Sequence, residues 1–583
     1  MAVGFYLKKM WGKKVMNMAT SLVDKNEIFS FRESAELFLK GEMDQDTFKK
    51  IRLIQGVYVQ RETNRYMLRV RIPWGGINSQ QLERIADLTD IYSDSSCHIT
   101  TRQNLQFYNM NLKQVCEMIT YLSEVGITSR EASGNVVRNI VSCHLSGVCQ
   151  KECFDVTPYA DFLTRFLIRR SEFQNLPRKF KISFSACQMD CGLTAIQDLG
   201  FIAVVQKGVR GFKVVVGGGL GAAPKTAQVL EEFIGLELLI PTVLAILSVF
   251  NKRGIRNNRL RARLKFLVEE IGIEEFKKSV FRVRDHLIKT ETLPVLDYEE
   301  EAPSPSLNDV SYSIKEESPE FNRWFFSNCV LEKKNGTFAI NIPVPLGEIS
   351  SETLRKIAKI ADHYSLGKIR TTNNQNLVIF GIKPFDLKSV YDLLLKAGLA
   401  MPCSSRLCDV TSCPGASTCP SAITNSKALT AELIRFFQNG GKSFQEIQAS
   451  IKICGCPNSC GQHHTATLGL SGRMQLFKDK QVPSYELVLG GQIKDGFLKF
   501  AESACKIPSK RVVSAISRIL HWYRREKQED ETLENFICRK GVYSFKDILE
   551  SLIDIEHSPL APEEYQDWGE DTDFQLKVKP SEC

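Results

Sequence analysis

The sequence YMLRVRIPWGG, residues 66–76, aligns with FAINIPVPLGE, residues 338–348, after a shift of 272 positions and without a gap. The same shift places LERIADLTDIY, residues 82–92, on LRKIAKIADHY, residues 354–364. Each copy has the pattern of a strand, an amphipathic helix, a strand and a helix, which predicts a compact α+β unit of about sixty residues. The chain is therefore a duplication, and the duplication decides its fold.

Four cysteines recur in the same order in both copies. The first pair of each copy has the spacing C-x5-C and the second pair the spacing C-x3-C. The distance along the chain between matching residues decreases from 272 positions in the strands to 270 and then 269 at the cysteines. The segment between the copies is acidic and rich in proline and serine, which is typical of a linker. We predict an α+β fold with a pseudo-twofold axis and a ligand at the interface of the halves. The two quartets are Cys143, Cys149, Cys187 and Cys191, and Cys413, Cys419, Cys456 and Cys460.

The duplication also predicts how the chain divides into segments. A chain of 583 residues is too long for one hydrophobic core, which agrees with such a division. The predicted segments are an N-terminal extension (1–49), a first half-domain (50–128), a first large domain (129–290), a linker (291–320), a second half-domain (321–402), a second large domain (403–555) and a C-terminal tail (556–583).

Composition excludes several classes of function. With 43% hydrophobic and 25% charged residues, the chain is typical of a globular protein. A net charge of +9 without a dense basic tract favours an anionic ligand or an acidic partner over nucleic acid. The apolar run 238–250 contains Pro241 and is too short to span a bilayer, so we predict a buried helix there.

The N-terminus and the cysteine content indicate a compartment. The first residues form a poor secretory signal, and Met16 and Met18 are alternative start positions. Eighteen cysteines without such a signal predict a reducing environment, in which thiols bind metals or lie buried and do not pair. We therefore expect a cytoplasmic protein with no membrane partner and no nucleic-acid partner.

The second quartet lies on two short loops with Pro414, Pro420 and Pro457 beside the thiols. Four thiolates from two loops suit tetrahedral zinc or an iron–sulfur cluster. Zinc ribbons prefer C-x2-C, so the observed spacings favour a cluster.

Three further residues near this quartet have no counterpart in the repeated set. Cys454 aligns with Ser185, and we interpret it as a strand residue. His463 and His464 follow the last cysteine, and we interpret them as partly exposed loop residues rather than as groups that protonate or tune the cluster.

Basic residues alternate with apolar residues along two predicted strands of the first copy. RKFKISFSAC, residues 178–187, places Lys179 and Lys181 on one face, and residues 66–73 do the same with Arg69 and Arg71. A solvated strand face explains such a pattern in an isolated strand.

The second copy argues against a solvated face. It has Asn341 at the position of Arg69, and Gln448 and Ser450 at the positions of the two lysines. Arg138 similarly aligns with Cys408. Positive charge is thus concentrated in one copy, beside a predicted metal site, which predicts an anion pocket.

These residues together resemble the sirohaem-dependent sulfite and nitrite reductases, from about residue 50 to residue 555. The cysteine quartet with GCPNSCG (455–461) and the motif LPRKFK (176–181) carry the resemblance. It implies two ferredoxin-like half-domains that alternate with two cofactor domains. It also implies that Cys413, Cys419, Cys456 and Cys460 bind a [4Fe-4S] cluster, and that Cys460 also bridges to the sirohaem iron.

The resemblance implies further roles in the first copy and around the cofactor. Arg69, Arg138, Lys179 and Lys181 would bind the substrate oxyanion. His98 departs from the family pattern, because many relatives carry a sirohaem-binding arginine there, and Tyr108 replaces a histidine of some relatives. The residues at positions that contact sirohaem are Thr100, Arg102, Gln106, Gln375, Asn458 and Cys460.

We expect an oxidoreductase that reduces sulfite to sulfide with six electrons, because Lys181 adds a cation where the nitrite enzymes often have asparagine. Reduction of nitrite to ammonia by the same site is the alternative. A non-catalytic iron–sulfur or zinc protein is an alternative of another class.

The remaining length fits no flavin or NADPH module, so a ferredoxin or a similar small carrier is the expected electron donor. The glycines of VGGGLGA, residues 216–222, precede the predicted helix PKTAQVLEEF, residues 224–233. They make a weak dinucleotide motif, because no acidic residue follows at the expected distance.

The quartet of the first copy admits two interpretations. Its four spacings are retained, which is the pattern of a second cluster. Alternatively, Cys143, Cys149, Cys187 and Cys191 are remnants of the ancestral duplicate that pack as small buried thiols. We prefer the second interpretation, because the family holds one cofactor set per chain.

Overall fold

The computed structural model describes residues 21–296, 298, 317–333, 336–494, 497–557, 560–579 and 582. The alternative starts at Met16 and Met18 and most of the predicted linker lie outside these residues. In the described ranges, no helix is long and apolar enough to cross a membrane.

The first half-domain is an antiparallel sheet packed against helices. Asparagine caps fix where two of the helices begin, because Asn78 accepts from Gln81 N at 2.8 Å and Asn111 accepts from Gln114 N at 2.9 Å. The elements are α1 (Lys25–Leu39), α2 (Gln45–Ile54), β1 (Val57–Val59), β2 (Tyr66–Val70), β3 (Gly76–Asn78), α3 (Ser79–Tyr92), β4 (Ser96–Ile99), β5 (Leu105–Met110) and α4 (Leu112–Ser123).

The first large domain contains a mixed sheet in the order β10-β9-β8-β7-β6. Strands β6, β7 and β8 are parallel neighbours, and β8, β9 and β10 are antiparallel. The elements are β6 (Val141–Ser142), α5 (Thr157–Leu167), β7 (Ile182–Ser185), β8 (Leu199–Gln206), β9 (Val209–Val216), β10 (Gln228–Gly235), α6 (Leu239–Arg253), α7 (Leu264–Ile271) and α8 (Ile273–Thr290).

The second half-domain repeats the first. Ser350 caps the helix that corresponds to α3, where it accepts from Thr353 N at 3.2 Å. The elements are α9 (Pro319–Asn328), β11 (Cys329–Leu331), β12 (Phe338–Ile342), β13 (Glu348–Ser350), α10 (Ser351–Tyr364), β14 (Lys368–Thr371), β15 (Leu377–Ile382) and α11 (Leu387–Lys396).

The second large domain repeats the mixed sheet in the order β16-β17-β18-β19-β22, and a separate hairpin joins β20 to β21. Strands β16, β17 and β18 are again parallel neighbours. The elements are β16 (Thr411–Ser412), α12 (Ser426–Gln438), β17 (Ile451–Cys454), β18 (Leu468–Phe477), β19 (Lys480–Leu489), β20 (Gln492–Lys494), β21 (Phe497–Lys499), β22 (Glu502–Pro508), α13 (Val512–Glu526), α14 (Leu533–Lys540) and α15 (Val542–Ile553).

Each half-domain sheet takes its fifth strand from the other half-domain. Strand β3 pairs with β14, with Ile77 opposite Ile369, and β13 pairs with β4, with Ile349 opposite Cys97. The buried residues of the two half-domains form one hydrophobic cluster. The predicted α+β copies are present, but each copy takes one strand of its sheet from the other, because it would otherwise present an unpaired sheet edge.

The predicted fold class is confirmed: the chain is an α+β duplication in which two half-domains alternate with two larger mixed-sheet domains. Each large domain has its own core. The helices of residues 25–54 belong to the half-domain core, where they bury Phe31 and Phe48. The predicted buried helix in residues 238–250 is also confirmed, as α6.

One local prediction is wrong. The predicted helix in residues 224–233 is mostly strand β10, because its residues pair antiparallel with β9 and bury Leu230 and Ile234 in the core. Strand β7 has no solvated face, in agreement with the argument from the second copy. All four of its side chains are buried, because parallel strands flank it and both of its faces are covered.

Candidate active site

Two loops of the second large domain bring four cysteines to one edge of the sheet. Cys413 follows β16 directly and Cys456 lies two residues after β17, and these strands are parallel neighbours with Ser412 opposite Ile453. The N–H of Cys413 donates to Ile453 O at 3.1 Å, and the N–H of Cys419 donates to Gly415 O at 2.9 Å. Because the carboxyl ends of parallel strands meet at the same edge, the two loops face one another.

The four sulfurs differ in exposure and in acidity. Cys413 and Cys456 are buried, Cys419 is half-buried and Cys460 is exposed. A hydrogen bond with the Cys454 thiol lowers the pKa of Cys413 to about 6, and Ser426 and the N–H of Gly455 add to this effect. The Gly455 N–H lies 3.2 Å from the Cys413 sulfur. The environment of Cys413 thus favours its thiolate, whereas burial raises the pKa of Cys456.

The spacings C-x5-C and C-x3-C of these loops favour a cluster over a zinc ribbon. No group of three or more His, Cys, Asp or Glu side chains in the described part of the chain is arranged around one metal position. That finding concerns single-ion sites, whereas a [4Fe-4S] cluster separates its four thiolates around a cube of iron and sulfide.

The prediction for Cys454 is confirmed, because it ends β17 and is buried. Its sulfur accepts from the N–H of Gly461 at 3.1 Å. Ser185, at the matching position of the first copy, accepts from the N–H of Gly192 at 2.8 Å. The two residues thus have the same structural role in shaping the loop that follows the strand.

The prediction that both histidines are partly exposed is wrong for His463, whose exposed fraction is 1%. A short turn, His463–Thr465, carries the chain from the cluster loop into β18 and places the ring against the sheet. Burial lowers the pKa of His463. His464 is half-buried and donates from Nε2 to Gly221 O at 3.1 Å, which joins the two large domains.

A cationic cluster, defined here as Arg69, Arg102, Arg138, Lys179, Lys181 and Arg263, lies in the first half of the chain. Burial and the charge of Arg138 lower the pKa of Arg102 to about 9. Burial also lowers the pKa of Lys181, and the charges of Arg102, Arg263 and Lys179 lower it further. The like charges therefore act on one another in a buried environment. The assignment of Arg69, Arg138, Lys179 and Lys181 to one anion site stays a prediction.

Arg69 and Arg138 share one backbone acceptor. Both Nη1 groups donate to Ala132 O, at 3.4 Å from Arg69 and 3.1 Å from Arg138. Arg138 is fixed further by a 2.9 Å bond from Nε to Gly134 O, and Arg69 lies over the ring of Tyr58 at 4.9 Å. Two guanidinium groups are thus held side by side by protein contacts alone.

Sequence reasoning missed two acidic residues, one that binds members of this cluster and one that pairs with a neighbouring arginine. Asp198 forms a 2.8 Å ion pair with Arg263 and accepts from the N–H of Lys181 at 2.9 Å. Glu131 pairs with buried Arg71 at 3.5 Å. Neither pair repeats in the second copy or follows a local motif, so the sequence offered no signal for them.

The residues predicted to contact sirohaem lie around this cationic cluster and the cysteine loops. Arg102 donates from Nη1 to Gln197 Oε1 at 2.8 Å. Thr100 accepts from Asn104 N at 3.0 Å, buried Gln106 accepts from the Tyr108 hydroxyl at 3.3 Å, and Asn458 is exposed on the cluster loop.

The side chain of Gln375 is occupied by protein partners. Its Oε1 accepts from Ser412 N at 2.8 Å, directly before Cys413, and its Nε2 donates to Ile99 O at 3.0 Å. Gln375 thus joins the cluster loop to β4 of the first half-domain.

His98, which replaces an arginine of the family pattern, is buried against Glu348 and Gln375. Its Nδ1 lies 2.9 Å from Glu348 Oε1, and its Nε2 lies 3.0 Å from Gln375 Nε2. Burial lowers the pKa of His98. Burial opposes ionisation of Glu348, but hydrogen bonds with His98 and Lys427 hold its pKa at about 2. Negative charge is therefore localised on Glu348.

Several buried polar atoms around these loops have no hydrogen-bond partner among the described residues. They include donors suited to carboxylates, namely Arg102 Nε and Arg138 Nη2, and Ser459 Oγ beside Cys460. Sirohaem carries several carboxylates, so unpaired donors beside four thiolates fit the implied cofactor pair.

The second copy lacks the matching charge. Cys408, which aligns with Arg138, forms a disulfide with Cys403 at a Cα–Cα distance of 5.5 Å. The expectation that cysteines do not pair is therefore wrong at this position. A tight turn, in which the N–H of Arg406 donates to Cys403 O at 3.0 Å, brings the two residues together.

Family models match the chain over most of its length. Residues 133–286 and 403–555 match the nitrite and sulphite reductase 4Fe-4S domain, and residues 58–125 and 331–397 match the nitrite/sulfite reductase ferredoxin-like half domain. The chain belongs to the nitrite and sulfite reductase family. The reductase is accordingly an enzyme that uses sirohaem and a [4Fe-4S] cluster. The alternative of a non-catalytic iron–sulfur or zinc protein is therefore wrong.

Individual relatives cover most of the reductase. It is 27% identical to the assimilatory ferredoxin-dependent nitrite reductase of Haloferax mediterranei, over 88% of this chain and 89% of the relative. It is 30% identical to the ferredoxin–nitrite reductase of Synechococcus elongatus, over 74% of this chain and 80% of the relative.

A solved structure agrees with the fold of the reductase. The NirA protein of Mycobacterium tuberculosis superposes with a TM-score of 0.73 and 23% identity, and the match covers 91% of this chain and all of the other.

Proposed function

We propose that this reductase converts nitrite to ammonia with electrons from a ferredoxin. The observation that carries the proposal is the similarity to two ferredoxin-dependent nitrite reductases, those of Haloferax mediterranei and Synechococcus elongatus, which match this chain over 88% and 74% of its length. The expected preference for sulfite is not confirmed.

The environment of Lys181 weakens the argument for sulfite. That argument counted Lys181 as an additional fixed cation that favours a dianion. Burial and repulsion by Arg102, Arg263 and Lys179 lower its pKa, so its neutral form is more accessible than that of an ordinary lysine. A lysine with a lowered pKa contributes less fixed charge and donates a proton more readily.

The remaining basic residues suit the binding of a monoanion. Arg69 and Arg138 are aimed by the Ala132 carbonyl, and Nη2 of Arg138 is buried with no partner among the described residues. We assign these two guanidinium groups to the oxygens of nitrite, because a planar fork fits a planar anion. Lys179 lies beside them and adds positive charge.

Proton delivery is the second task of this site. Conversion of nitrite to ammonium consumes six electrons and eight protons and releases two water molecules. We assign proton transfer at the substrate oxygens to Lys181 Nζ, because burial and the charges of Arg102, Arg263 and Lys179 lower its pKa while its backbone stays bound to Asp198. The bond from Asp198 to Arg263 keeps this segment in place through successive proton transfers.

The chain's thiolates and polar groups hold the redox cofactors, and those cofactors supply one-electron steps and a metal position for nitrite when bound. We assign Cys413, Cys419, Cys456 and Cys460 to the cluster and Cys460 to the bridge between cluster and sirohaem. Thr100, Arg102, Gln106 and Asn458 are assigned to the sirohaem environment. Gln375 is assigned to positioning the loop of Cys413.

A ferredoxin is the proposed donor for two reasons. Ferredoxins are acidic, and the net charge of +9 on this chain favours association with an acidic partner. The names of the relatives specify the same class of donor.

Turnover of nitrite and sulfite side by side tests the proposal. With reduced ferredoxin as donor, we expect kcat/KM for nitrite to exceed that for sulfite by about tenfold or more, which corresponds to about 1.4 kcal/mol. Lys181→Asn should lower kcat for nitrite and flatten the alkaline limb of its pH profile, because the proton donor is removed.

Lys207→Asn is the matched control, since Lys207 is exposed in the turn between β8 and β9 and has a positive φ that asparagine tolerates. Faster turnover of sulfite than of nitrite by the unaltered enzyme would refute the proposal.

A further inference from the structure

We propose that Cys143, Cys149, Cys187 and Cys191 bind a second [4Fe-4S] cluster, in the first large domain. The structure favours the interpretation of this quartet as a second cluster, because the backbone contacts and the exposure of its cysteines match those of the second quartet. The inference depends on the geometry of the two halves and not on the choice between nitrite and sulfite.

The two quartets occupy matching places in their sheets. Cys143 follows β6 as Cys413 follows β16, and the parallel registers that hold the two loops together agree, with Ser142 opposite Phe184 and Ser412 opposite Ile453. The N–H of Cys143 donates to Phe184 O at 3.0 Å, which matches the 3.1 Å bond from Cys413 to Ile453 O.

The matching backbone bonds continue along the first loop. The N–H of Cys149 donates to Leu145 O at 3.0 Å, which matches the 2.9 Å bond from Cys419 to Gly415 O. Each loop therefore turns in the same way between its two cysteines, although the intervening residues differ.

Exposure follows the same order in both quartets. Cys143 and Cys187 are buried with exposed fractions of 3% and 7%, as Cys413 and Cys456 are with 8% each. Cys149 is half-buried and Cys191 is exposed, as are Cys419 and Cys460. Two of four thiols that packed only as small apolar groups would not lie open in this way.

Backbone N–H groups approach the sulfurs at the same offsets. The N–H of Leu145 approaches Cys143 and the N–H of Met189 approaches Cys187, two residues later in each case. In the second copy the N–H of Gly415 approaches Cys413 and that of Asn458 approaches Cys456. Each of these backbone bonds lowers the pKa of its thiol, which favours a ligated thiolate. A hydrogen bond with Cys191 and burial nevertheless raise the pKa of Cys143 overall, and burial raises those of Cys187 and Cys456.

The second loop keeps an unusual backbone conformation. Asp190 and Leu193 have φ values of 51° and 56°, and the matching Ser459 and Gln462 have values of 56° and 65°. None of these residues is glycine, and the left-handed region is unfavourable for a leucine. Retention of the shape with different side chains indicates that the loop geometry itself is required.

Asp190 does not compete with the thiols for a metal. Its carboxylate accepts from Ser185 Oγ at 2.7 Å, from Thr194 N and Oγ1 at 2.8 and 2.7 Å, and from Ala195 N at 3.0 Å. These hydrogen bonds stabilise the conformation of the loop that carries Cys187 and Cys191.

The last cysteine of each quartet is tied to the opposite half of the chain. Asn373 Nδ2 donates to Cys191 O at 3.2 Å, and Thr101 Oγ1 donates to Cys460 O at 2.9 Å. Thr101 and Asn373 are matching residues under the 272-residue shift. The anchoring of the proposed site is thus as complete as that of the family's cluster.

The identity of the bound group follows from this equivalence. The same two loop lengths, in the same sheet positions, are assigned to a [4Fe-4S] cluster in the second large domain, and the 4Fe-4S domain model matches residues 133–286 as well. The spacings C-x5-C and C-x3-C also differ from the C-x2-C of zinc ribbons.

Metal analysis of the full chain tests the proposal. After anaerobic purification and reconstitution with iron and sulfide, we expect about nine iron atoms and eight sulfides per sirohaem, because two clusters and one sirohaem are bound. About five iron atoms and four sulfides, with or without stoichiometric zinc, would overturn it. This measurement needs no variant and so remains decisive if the variants fold poorly.

Substitutions test the ligand set. Cys187→Ala and Cys191→Ser should each lower iron by about four atoms per sirohaem while sirohaem per chain is retained. Cys153→Ala is the matched control, since Cys153 is exposed in the same region but outside the repeated quartet. Loss of iron in the control with none in Cys187→Ala would refute this set of ligands.

Discussion

The Thr101 hydroxyl donates a 2.9 Å hydrogen bond to the carbonyl oxygen of Cys460 and so links the loop after β4 to the last cysteine of the cluster loop. Thr101 lies between Thr100 and Arg102, which are both assigned to the sirohaem environment. One hydrogen bond thus relates the position of the proposed bridging thiolate to the position of the sirohaem pocket.

Removal of this bond should slow turnover without loss of cofactor. Thr101→Val removes a bond worth about 1 kcal/mol, so we expect kcat to fall about fivefold while iron and sirohaem content stay unchanged. Cofactor analysis and ferredoxin-driven turnover check this result. Thr101→Ser retains the hydroxyl and should keep normal turnover. Full activity in Thr101→Val would show that the bond has no role in placing Cys460.

Arg138 should contribute to nitrite binding. Its Nε and Nη1 are held by the carbonyls of Gly134 and Ala132, which aim the third nitrogen at the site. Arg138→Leu removes a charged hydrogen bond worth about 2 kcal/mol, so kcat/KM for nitrite should fall about 30-fold, mainly through KM. Steady-state kinetics at constant sirohaem content measure the change.

The control for Arg138 is Arg525→Ala, since Arg525 is exposed on α13. It should change kcat/KM by less than about twofold. Equal losses in the two variants would indicate a general electrostatic effect rather than a binding site.

Asp409 should make stability fall as pH rises. Burial raises the pKa of its carboxyl to about 6 from an ordinary value of 3.8, although hydrogen bonds from Asn376 oppose the shift. Between these two values the folded state binds more protons to this carboxyl than the unfolded state does. The contribution of Asp409 to the free energy of unfolding is therefore greatest below about pH 4 and falls up to about pH 6.

Asp409→Asn should abolish this contribution. Asparagine still accepts from Asn376 and carries no charge, so the variant should gain about 2 kcal/mol relative to the unaltered chain as pH rises from 4 to 7. Unfolding midpoints at the two pH values measure the difference. A constant difference between variant and unaltered chain would contradict the assignment.

The C-terminus should stabilise the edge of the first half-domain. Glu582 binds buried Arg52 at 3.0 Å through Oε2, and the N–H of Val59 in β1 donates to the same oxygen at 3.2 Å. Glu582→Ala leaves a buried guanidinium without its anion, which should cost about 3 kcal/mol.

Amide hydrogen exchange of β1 reports this effect locally, and protection of Val59 should fall by about two orders of magnitude. Glu570→Ala changes an exposed acid of the same tail and should leave exchange at β1 unchanged. Equal exchange in both variants would contradict a stabilising role for Glu582.

The sequence predicted the parts of this structure that repeat. The 272-residue shift located both half-domains, and the recurrent spacings located both cysteine quartets, because duplicated loops keep their geometry. The role of Asp198 could not be predicted from the sequence, because its partners, Arg263 and Lys181, lie far apart along the chain and form no repeated pattern. The strand of Lys179 and Lys181 has no solvated face, as the comparison of the two copies indicated, because the matching positions of the second copy lack the charge and all four side chains of β7 are buried.

The exchange of β3 and β13 imposes an order on synthesis. The first half-domain emerges from the ribosome early, but the partner of β4 is residues 348–350, more than 200 residues later. Its sheet therefore stays incomplete until most of the protein has been translated, and a nascent chain released before that point has an exposed edge that invites aggregation. Expression as two separate polypeptides, divided in the linker, should succeed only when both are produced together.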